Sequence, residues 1–221
     1  MTQATSSEGG ETRRPVKILL SVFACSPHQG SEPGVGWNVV KQVSKYPEHE
    51  IWAMTRSENR EAIEREVAIN PIPNVHWVFY DVPRWARAPG KGGIKLQFYY
   101  YLWQLGAYFE GRKIHKQVNL DIVQHVTYVK YWVPSFLSNL PVPFIWGPVG
   151  GGETAPNSFY ATLDEKGRRY EKIRDTVRAT TETLDPFVRR TARKARLALS
   201  TTEETAARIR KLGGRNVRIL S

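Results

Sequence analysis

A strand, a glycine-rich turn and a helix follow one another within the first fifty residues, and this succession restricts the fold more than any other feature. Residues 17–24 form an apolar run rich in branched side chains, which predicts a buried strand. Apolar residues at helical spacing predict a helix from about Gly34 to Tyr46, and Pro47 ends it. Glycines in the turn let the backbone approach a ligand closely, and a helix N-terminus favours phosphate. The turn lacks the G-x-G-x-x-G spacing of dinucleotide sites. Two interpretations stay open, namely a phosphate-binding loop and a turn that merely connects the strand to the helix.

Strand-like and helix-like segments alternate along the rest of the chain. Further strands are predicted at residues 50–55, 75–80, 121–125, 143–146, 196–200 and 216–220. Helices are predicted at residues 57–69, 94–118, 159–183, 186–194 and 203–212, and a short helix or turn at residues 134–140. This alternation predicts an α/β fold with a mainly parallel, Rossmann-like sheet and helices on both faces.

We expect one domain from residue 15 to residue 221, preceded by a tail. Residues 1–14 are polar and contain no apolar signal segment, so they predict a disordered tail and no secretory signal. Cys25 is the only cysteine, which excludes an internal disulfide framework and is compatible with a reducing compartment. No apolar run is long enough to span a bilayer.

The chain is strongly basic, with a net charge of +11 and a pI of about 9.8. Residues 154–221 contain 16 Lys and Arg against 8 Asp and Glu, so most of the excess lies in the last third. Such a balance indicates an anionic partner, namely membrane lipid, nucleic acid or a phosphorylated ligand, although a solvated basic helix face explains it equally simply. No recognised DNA- or RNA-binding motif occurs, so we expect no specific nucleic-acid partner.

Cations and aromatic residues are mixed over residues 84–103. Segments of this kind lie at membrane interfaces or stack on bases. A core helix with aromatic packing, preceded by a loop, gives the same pattern. For the aromatic residues we favour the core helix, and for the preceding loop we keep contact with a membrane as a hypothesis.

Chemistry in open α/β sheets concentrates beyond the carboxyl ends of the strands, and two further groups of residues fall there. His125 closes the fourth predicted strand; it could accept a proton, hydrogen-bond a sugar hydroxyl, or be a half-buried histidine bonded to backbone. A glycine-rich loop follows the fifth strand, and Glu153 at its end could accept hydrogen bonds from hydroxyls or cap a helix. No His, Cys, Asp or Glu cluster has metal-ligand spacing, so we predict no metal site.

Three segments together resemble the N-terminal, acceptor-side domain of family 4 GT-B glycosyltransferases of the bacterial group 1 type. They are FACSPHQGSEPGVGW at residues 23–37, DIVQHVTY at residues 121–128 and FIWGPVGGGE at residues 144–153. The resemblance extends over about residues 16–220. It implies one half of a GT-B enzyme, which transfers a sugar from a nucleotide-sugar donor to a hydroxyl acceptor without a metal and with retained anomeric configuration.

The resemblance also implies roles for individual residues. The donor-phosphate-binding residues would be Ser31, Glu32, Pro33, Gly34, Val35 and Gly36. The catalytic residue beside the transferred sugar would be His125. The acceptor-binding residues would be Tyr128, Gly150, Gly151, Gly152 and Glu153. The donor would be a nucleotide-sugar such as a UDP-sugar, with no further cofactor, and the acceptor a saccharide or a lipid-linked saccharide in surface polysaccharide assembly.

The family's C-terminal, donor-binding domain has no counterpart in these 221 residues. We therefore expect the chain to be inactive as an isolated domain, and we expect a cytoplasmic location, peripheral to the inner face of an anionic membrane. The alternative is a non-catalytic binding module or subunit, which pairs with a separate donor-binding half or binds anionic lipid.

Overall fold

Seven parallel strands form one sheet in the computed structural model, which describes residues 14–87, 94–153 and 164–220. The strands are β1 (Val16–Ser21), β2 (His49–Arg56), β3 (Val75–Tyr80), β4 (Ile122–His125), β5 (Phe144–Val149), β6 (Ala195–Ser200) and β7 (Val217–Ile219). Their order across the sheet is β3-β2-β1-β4-β5-β6-β7, and every pair is parallel. The predicted parallel, Rossmann-like α/β fold is confirmed.

The helices between the strands are α1 (Ser31–Val43), α2 (Arg60–Ile69), α3 (Ile94–Val118), α4 (Glu165–Leu184), α5 (Pro186–Lys194) and α6 (Glu203–Lys211). Single 3₁₀ turns occupy Ser57–Asn59, Arg84–Ala86 and Phe136–Asn139. The predicted helix at 94–118 has these bounds in the structure, and the one predicted at 159–183 is described from Glu165 onward. Residues 154–163 lie outside the described part.

Alternate residues of β1 enter two separate cores, because successive side chains of a strand point to opposite faces. Ile18 and Leu20 pack with Trp37 of α1 on one face, in a cluster that also holds a buried residue of α2. Leu19 packs on the other face, in a cluster that contains buried residues of α3, α5 and α6. Helices therefore cover both faces of the sheet, as the alternating sequence predicted.

The first strand is shorter than its apolar run predicts. β1 ends at Ser21, whereas the prediction extended to Ala24. Residues 22–24 are nevertheless buried, because they lie in a loop that crosses the edge of the sheet. The Val22 amide donates to the Met54 carbonyl, and the Ala24 amide donates to Thr127 Oγ1. Burial rather than strand pairing accounts for the apolar residues at that end.

The last residue of the predicted N-terminal tail contacts the sheet. The Arg14 guanidinium donates to both carboxylate oxygens of Asp121, at 2.9 and 2.6 Å, beside the start of β4. Asp121 also accepts from the Lys17 amide, so Arg14 is tied to the sheet. The rest of the predicted tail, residues 1–13, lies outside the described residues.

Candidate functional site

The carboxyl edge of the sheet brings the three predicted groups together. The last residue of β1, Ser21, is the Cα partner of His125 on β4, and His125 is the partner of Trp146 on β5. The Val126 amide donates to the Ser21 carbonyl beyond the strands, at 2.9 Å. Strand order reverses between β1 and β4, and at such a switch point open α/β sheets bind their ligands.

The first turn of α1 stands at this switch point and is exposed. α1 begins at Ser31, three residues before the predicted start, and Gly30 precedes it without a side-chain cap. Ser31, Glu32 and Val35 are exposed, and Pro33 is half-buried. Amides in the first turn of a helix have no intrahelical acceptor, so this turn offers hydrogen-bond donors and the positive end of the helix dipole.

Glu32 joins the first loop to the second. Its Oε2 accepts a hydrogen bond of 3.0 Å from the backbone amide of Tyr128, the third residue after β4. Tyr128 has a φ of 61°, a left-handed conformation that non-glycine residues rarely adopt. The carboxylate of Glu32, which was predicted to bind phosphate, thus stabilises a strained turn. Its negative charge would itself repel phosphate.

Gly34 and Gly36 lie in close contact with the backbone of the preceding loop. A Cβ on Gly34 would lie 2.1 Å from the Gln29 carbonyl oxygen, and one on Gly36 would lie 2.1 Å from the Ala24 carbonyl oxygen. Both glycines are buried. Glycine is required at both positions because the protein's own backbone occupies the space that a Cβ would need. Their part in donor-phosphate binding stays a prediction.

His125 is buried at the end of β4, with an exposed fraction of 1%. Its Nε2 lies 2.9 Å from the Tyr100 hydroxyl and 3.1 Å from the Gln104 amide nitrogen, both on α3. Because an amide nitrogen only donates, Nε2 accepts and the ring proton resides on Nδ1. Burial lowers the pKa of His125 to about 3, and an interaction with the Thr127 backbone opposes this shift only in part.

The His125 imidazole is neutral at neutral pH and is shielded from solvent. His125 is more deeply buried than either sequence interpretation expected, and its Nε2 is already occupied by α3 side chains. The geometry favours a positioning residue that fixes the exit of β4. Its catalytic role stays a prediction.

Buried polar atoms without a hydrogen bond of good geometry concentrate beneath this edge. Among the described residues they include Ser21 Oγ, His125 Nδ1, Trp146 Nε1 and Gln104 Oε1. The first three belong to strand residues that are register partners across β1, β4 and β5. Native interiors leave few polar groups unpaired, so this row is an unusual feature of the sheet centre.

Tyr128 lines the edge together with other aromatic rings. Its ring centroid lies 5.1 Å from that of Phe23 and 5.8 Å from that of Tyr100. The Lys130 ammonium lies 6.0 Å from the Tyr128 ring centroid and 5.1 Å from that of Trp132, and it donates to Gln97 Oε1. Tyr128 therefore joins a cluster of aromatic rings with a neighbouring cation.

The glycine-rich loop after β5 has its amides committed within the protein. Gly150 donates to the Val129 carbonyl at 2.9 Å, Gly151 to Glu153 Oε2 at 3.0 Å, and Gly152 to Thr205 Oγ1 at 3.0 Å. All three amides thus have an acceptor within the protein. Their part in acceptor binding stays a prediction.

Glu153 is held at the N-terminus of α6. Its Oε1 accepts from the hydroxyls of Thr202, at 2.8 Å, and Thr205, at 3.2 Å. Burial raises the pKa of Glu153, but these hydrogen bonds and those from backbone amides outweigh burial, so the pKa is lowered on balance. The carboxylate therefore stays charged and interacts favourably with the positive end of α6.

Sequence reasoning missed the residues that surround His125 and Glu153. Tyr100 and Gln104 lie four residues apart on α3, a spacing that puts them on one helix face, but nothing in the sequence pairs that face with His125. Thr202 precedes α6 and its hydroxyl accepts from the Thr205 amide, an N-cap pattern that the sequence does display. Lys130 has no comparable signal.

Comparison with known proteins gives similarity of structure only. No protein-family model matches the sequence, and no curated protein does. A UDP-N-acetylglucosamine 2-epimerase crystal structure is similar over 93% of this chain and 45% of that chain, at 12% identity and a TM-score of 0.47. A UDP-glucose: anthocyanidin 3-O-glucosyltransferase in complex with UDP is similar over 92% of this chain and 52% of that chain, at 10% identity and a TM-score of 0.49. The chain spans about half the length of these solved chains, and neither degree of similarity decides what it binds.

No helix in residues 14–87, 94–153 and 164–220 is both long and apolar enough to cross a membrane. Within the same ranges, no group of three or more His, Cys, Asp or Glu side chains could hold a metal ion.

Proposed function

We propose that this chain is the acceptor-side half of a nucleotide-sugar-dependent glycosyltransferase. The observation that supports it best is the junction at the β1–β4 switch point. There the Glu32 carboxylate binds the Tyr128 amide, and the loop after β5 joins the same edge through the hydrogen bond from Gly150 to Val129. Three loops that the sequence resemblance singles out are thus joined by hydrogen bonds at one edge of the sheet.

The donor phosphate would bind the exposed first turn of α1. Backbone amides at Ser31 and Glu32 have no intrahelical acceptor, and the helix dipole favours an anion there. The Glu32 carboxylate is turned to Tyr128 and holds the loop, while Lys130 supplies positive charge on the same edge. A UDP-sugar is the donor we propose.

The other side chains would position the reacting groups. His125 and Tyr100 fix the exit of β4 beneath the sugar, and the half-buried Tyr128 ring offers a surface on which a sugar or base can stack. Glu153 shapes the acceptor side through its contacts with α6. A second nucleotide-binding domain would supply the remaining donor contacts, and preorganised donors would stabilise charge on the leaving phosphate without a metal.

The test is isothermal titration of the chain with UDP, UDP-glucose and GDP-mannose, without metal. Two variants at one exposed position distinguish the effect of side-chain charge on UDP affinity from the effect of side-chain shape. Ser31 has a φ of 57°, and Asn and Asp both tolerate this conformation. Ser31→Asp places a carboxylate at the proposed phosphate site, so we expect it to weaken UDP binding by roughly tenfold or more, whereas Ser31→Asn should bind as the original chain does.

Binding of one nucleotide series with this contrast between the two variants would support the proposed donor site and identify the base. Equal affinities of Ser31→Asp and Ser31→Asn for UDP would place the nucleotide elsewhere and contradict the assignment. No binding of any nucleotide by the folded chain would show that this half makes no independent donor contact.

A further inference from the structure

β3 lies at one edge of the sheet, and its outer backbone groups have no strand partner among the described residues. The Ile51 amide of β2 donates to the Asn74 carbonyl at 2.9 Å, directly before β3. In a parallel ladder every second residue bonds the same neighbour, so the amide and carbonyl groups of Trp77 and Phe79 point away from β2. They form a short row of hydrogen-bond donors and acceptors along the edge.

The opposite edge of the sheet is protected in a way that β3 is not. β7 has three residues, and Arg218 lies at its centre. Short edge strands and charged side chains are common means by which proteins prevent edge pairing. β3 has six residues, VHWVFY, with no Lys, Arg, Asp, Glu, Pro or Gly, and it pairs with β2 in one unbroken register. Within the described residues, β3 is therefore the edge that can accept a further strand.

A groove lies between β3 and α2, beside this edge. Its volume is about 500 Å³, within the range of roughly 300–1,000 Å³ that ligand pockets occupy. The residues that line it belong to the helix and to the edge strand, and they are Arg60, Glu64, Val67, Ala68, Trp77 and Phe79. The two β3 residues of the groove are thus the same ones whose backbone groups point outward.

The groove offers mainly apolar contact and has no net charge. Trp77 and Phe79 are half-buried, and their ring centroids lie 6.4 Å apart with an interplanar angle of 17°. On the helix side the Arg60 guanidinium donates to Glu64 Oε1 at 2.9 Å, so these two charges compensate each other. A ligand that matches this site therefore brings apolar side chains together with backbone hydrogen-bonding groups.

We infer that this groove binds an extended peptide segment of a partner protein, which adds a strand to β3. The peptide backbone would hydrogen-bond the outward-facing amides and carbonyls of Trp77 and Phe79, and every second side chain would enter the groove. A recognised segment would carry β-branched or aromatic residues at alternate positions. The net charge of +11 favours acidic residues at its ends.

A second copy of the chain is a weaker candidate for this edge. A stable interface between two folded proteins uses about 20–30 residues on each side, whereas six residues line the groove. Two copies that each carry a net charge of +11 also repel each other. A peptide requires less area, because hydrogen bonds between main chains supply much of its affinity.

The groove is separate from the candidate site at the carboxyl edge. β2 lies between β3 and β1, so one strand separates the groove from the β1–β4 switch point. The inference uses none of the residues assigned to nucleotide binding. It therefore stands or fails independently of the proposed function.

The experiment measures amide hydrogen exchange of the full chain by NMR, with and without the capped peptide EVTVTVE. In the free chain, the amides of Trp77 and Phe79 should exchange faster than those of His76 and Val78, which bond β2. An excess of the peptide should slow exchange at Trp77 and Phe79 by about tenfold or more. The amides of β7, at the opposite edge, should not change.

Two methylated peptides distinguish backbone pairing from apolar contact alone. One carries N-methyl groups on its valine amides and the other on its threonine amides, so each lacks the donors of one strand edge. A strand added to β3 uses only one of its edges. One methylated peptide should therefore bind as EVTVTVE does, and the other should lose about tenfold or more in affinity.

A variant and a matched control test the groove itself. Ala68 is exposed and lines the groove, so Ala68→Tyr fills it and should lower the affinity for labelled EVTVTVE by about tenfold, measured by fluorescence anisotropy. Ala207 is an exposed alanine of α6 outside the groove, and Ala207→Tyr should leave the affinity unchanged. Both variants should keep the urea unfolding midpoint and the nucleotide affinity of the original chain.

Three results would overturn the inference. They are unchanged exchange at Trp77 and Phe79 with an excess of peptide, equal affinities of the two methylated peptides, and equal affinities of Ala68→Tyr and Ala207→Tyr for EVTVTVE. Light scattering provides an independent check, since a dimer that Ala68→Tyr converts to a monomer would assign the edge to a second copy instead.

Discussion

The buried imidazole of His125 makes a quantitative prediction about acid stability. Burial lowers its pKa to about 3, against an ordinary value of 6.5. Below pH 6.5 the unfolded chain therefore binds a proton that the folded chain does not bind until about pH 3. The stability that His125 contributes is complete above pH 6.5 and is lost as the pH falls through this window.

The size of the effect follows from the width of the window. One pH unit of differential proton binding corresponds to about 1.4 kcal/mol. Between about pH 7 and about pH 5, protonation of this one ring in the unfolded state should remove about 2 kcal/mol from the free energy of unfolding. That is a sizeable share of the roughly 5–15 kcal/mol that stabilises a typical domain.

The assay is urea unfolding of the original chain and of His125→Gln at both pH values. Glutamine can still accept a hydrogen bond from Tyr100 through its carbonyl oxygen, but it does not titrate. All other ionisable groups are shared by the two proteins, so the difference between their pH dependences isolates His125. The original chain should lose about 2 kcal/mol more than the variant.

Equal losses in the two proteins, within about 0.5 kcal/mol, would refute this reasoning. They would mean that water reaches the imidazole in the folded chain and that it titrates normally. In that case His125 would again be a candidate for proton transfer to a ligand, and its description as a positioning residue would be wrong.

Two further predictions concern the loops at the carboxyl edge. Gly36→Ala should lower the free energy of unfolding by about 1–3 kcal/mol, because the new Cβ meets the Ala24 carbonyl, despite the better helix propensity of alanine. Gly30→Ala is its control, since nothing lies within 4 Å of that Cβ; equal urea midpoints for the two variants would contradict the prediction. Thr205→Val leaves the buried Gly152 amide without its acceptor and should cost about 1–3 kcal/mol, measured by thermal or urea unfolding; an unchanged midpoint would show that the hydrogen bond contributes little.

The fold was largely predictable because its signals are local. The apolar period along residues 94–118 gave both ends of α3, and Pro186 marked the start of α5. The predicted end of β1 was wrong because the residues that follow it are buried by contacts other than strand pairing. Residues 22–24 continue the apolar run of β1, but they are buried by the loops that cross the edge.

The placement of the site was predictable, and the state of its groups was not. Strand ends indicated the edge on which His125 and Gly150 lie, because parallel strands end together. Burial of His125 depends on Tyr100, which is distant in sequence and whose orientation no local pattern encodes. The same holds for Gly34, whose close neighbour is a carbonyl oxygen of the preceding turn rather than a ligand.

The contacts at the edge also determine which groups remain for a ligand. The amides of the glycine-rich loop, the carboxylates of Glu32 and Glu153 and the His125 ring are all engaged by the protein itself. Within the described residues, neither Ser31 nor the Tyr128 hydroxyl makes a side-chain hydrogen bond, and the Tyr128 backbone is joined to the first turn of α1 through Glu32. Recognition by this half would therefore rest on backbone donors and an aromatic ring rather than on a charged pair. Such a site would bind phosphate with modest affinity and would need a second domain for tight binding, which is why the contrast between Ser31→Asp and Ser31→Asn is more informative than the affinity alone.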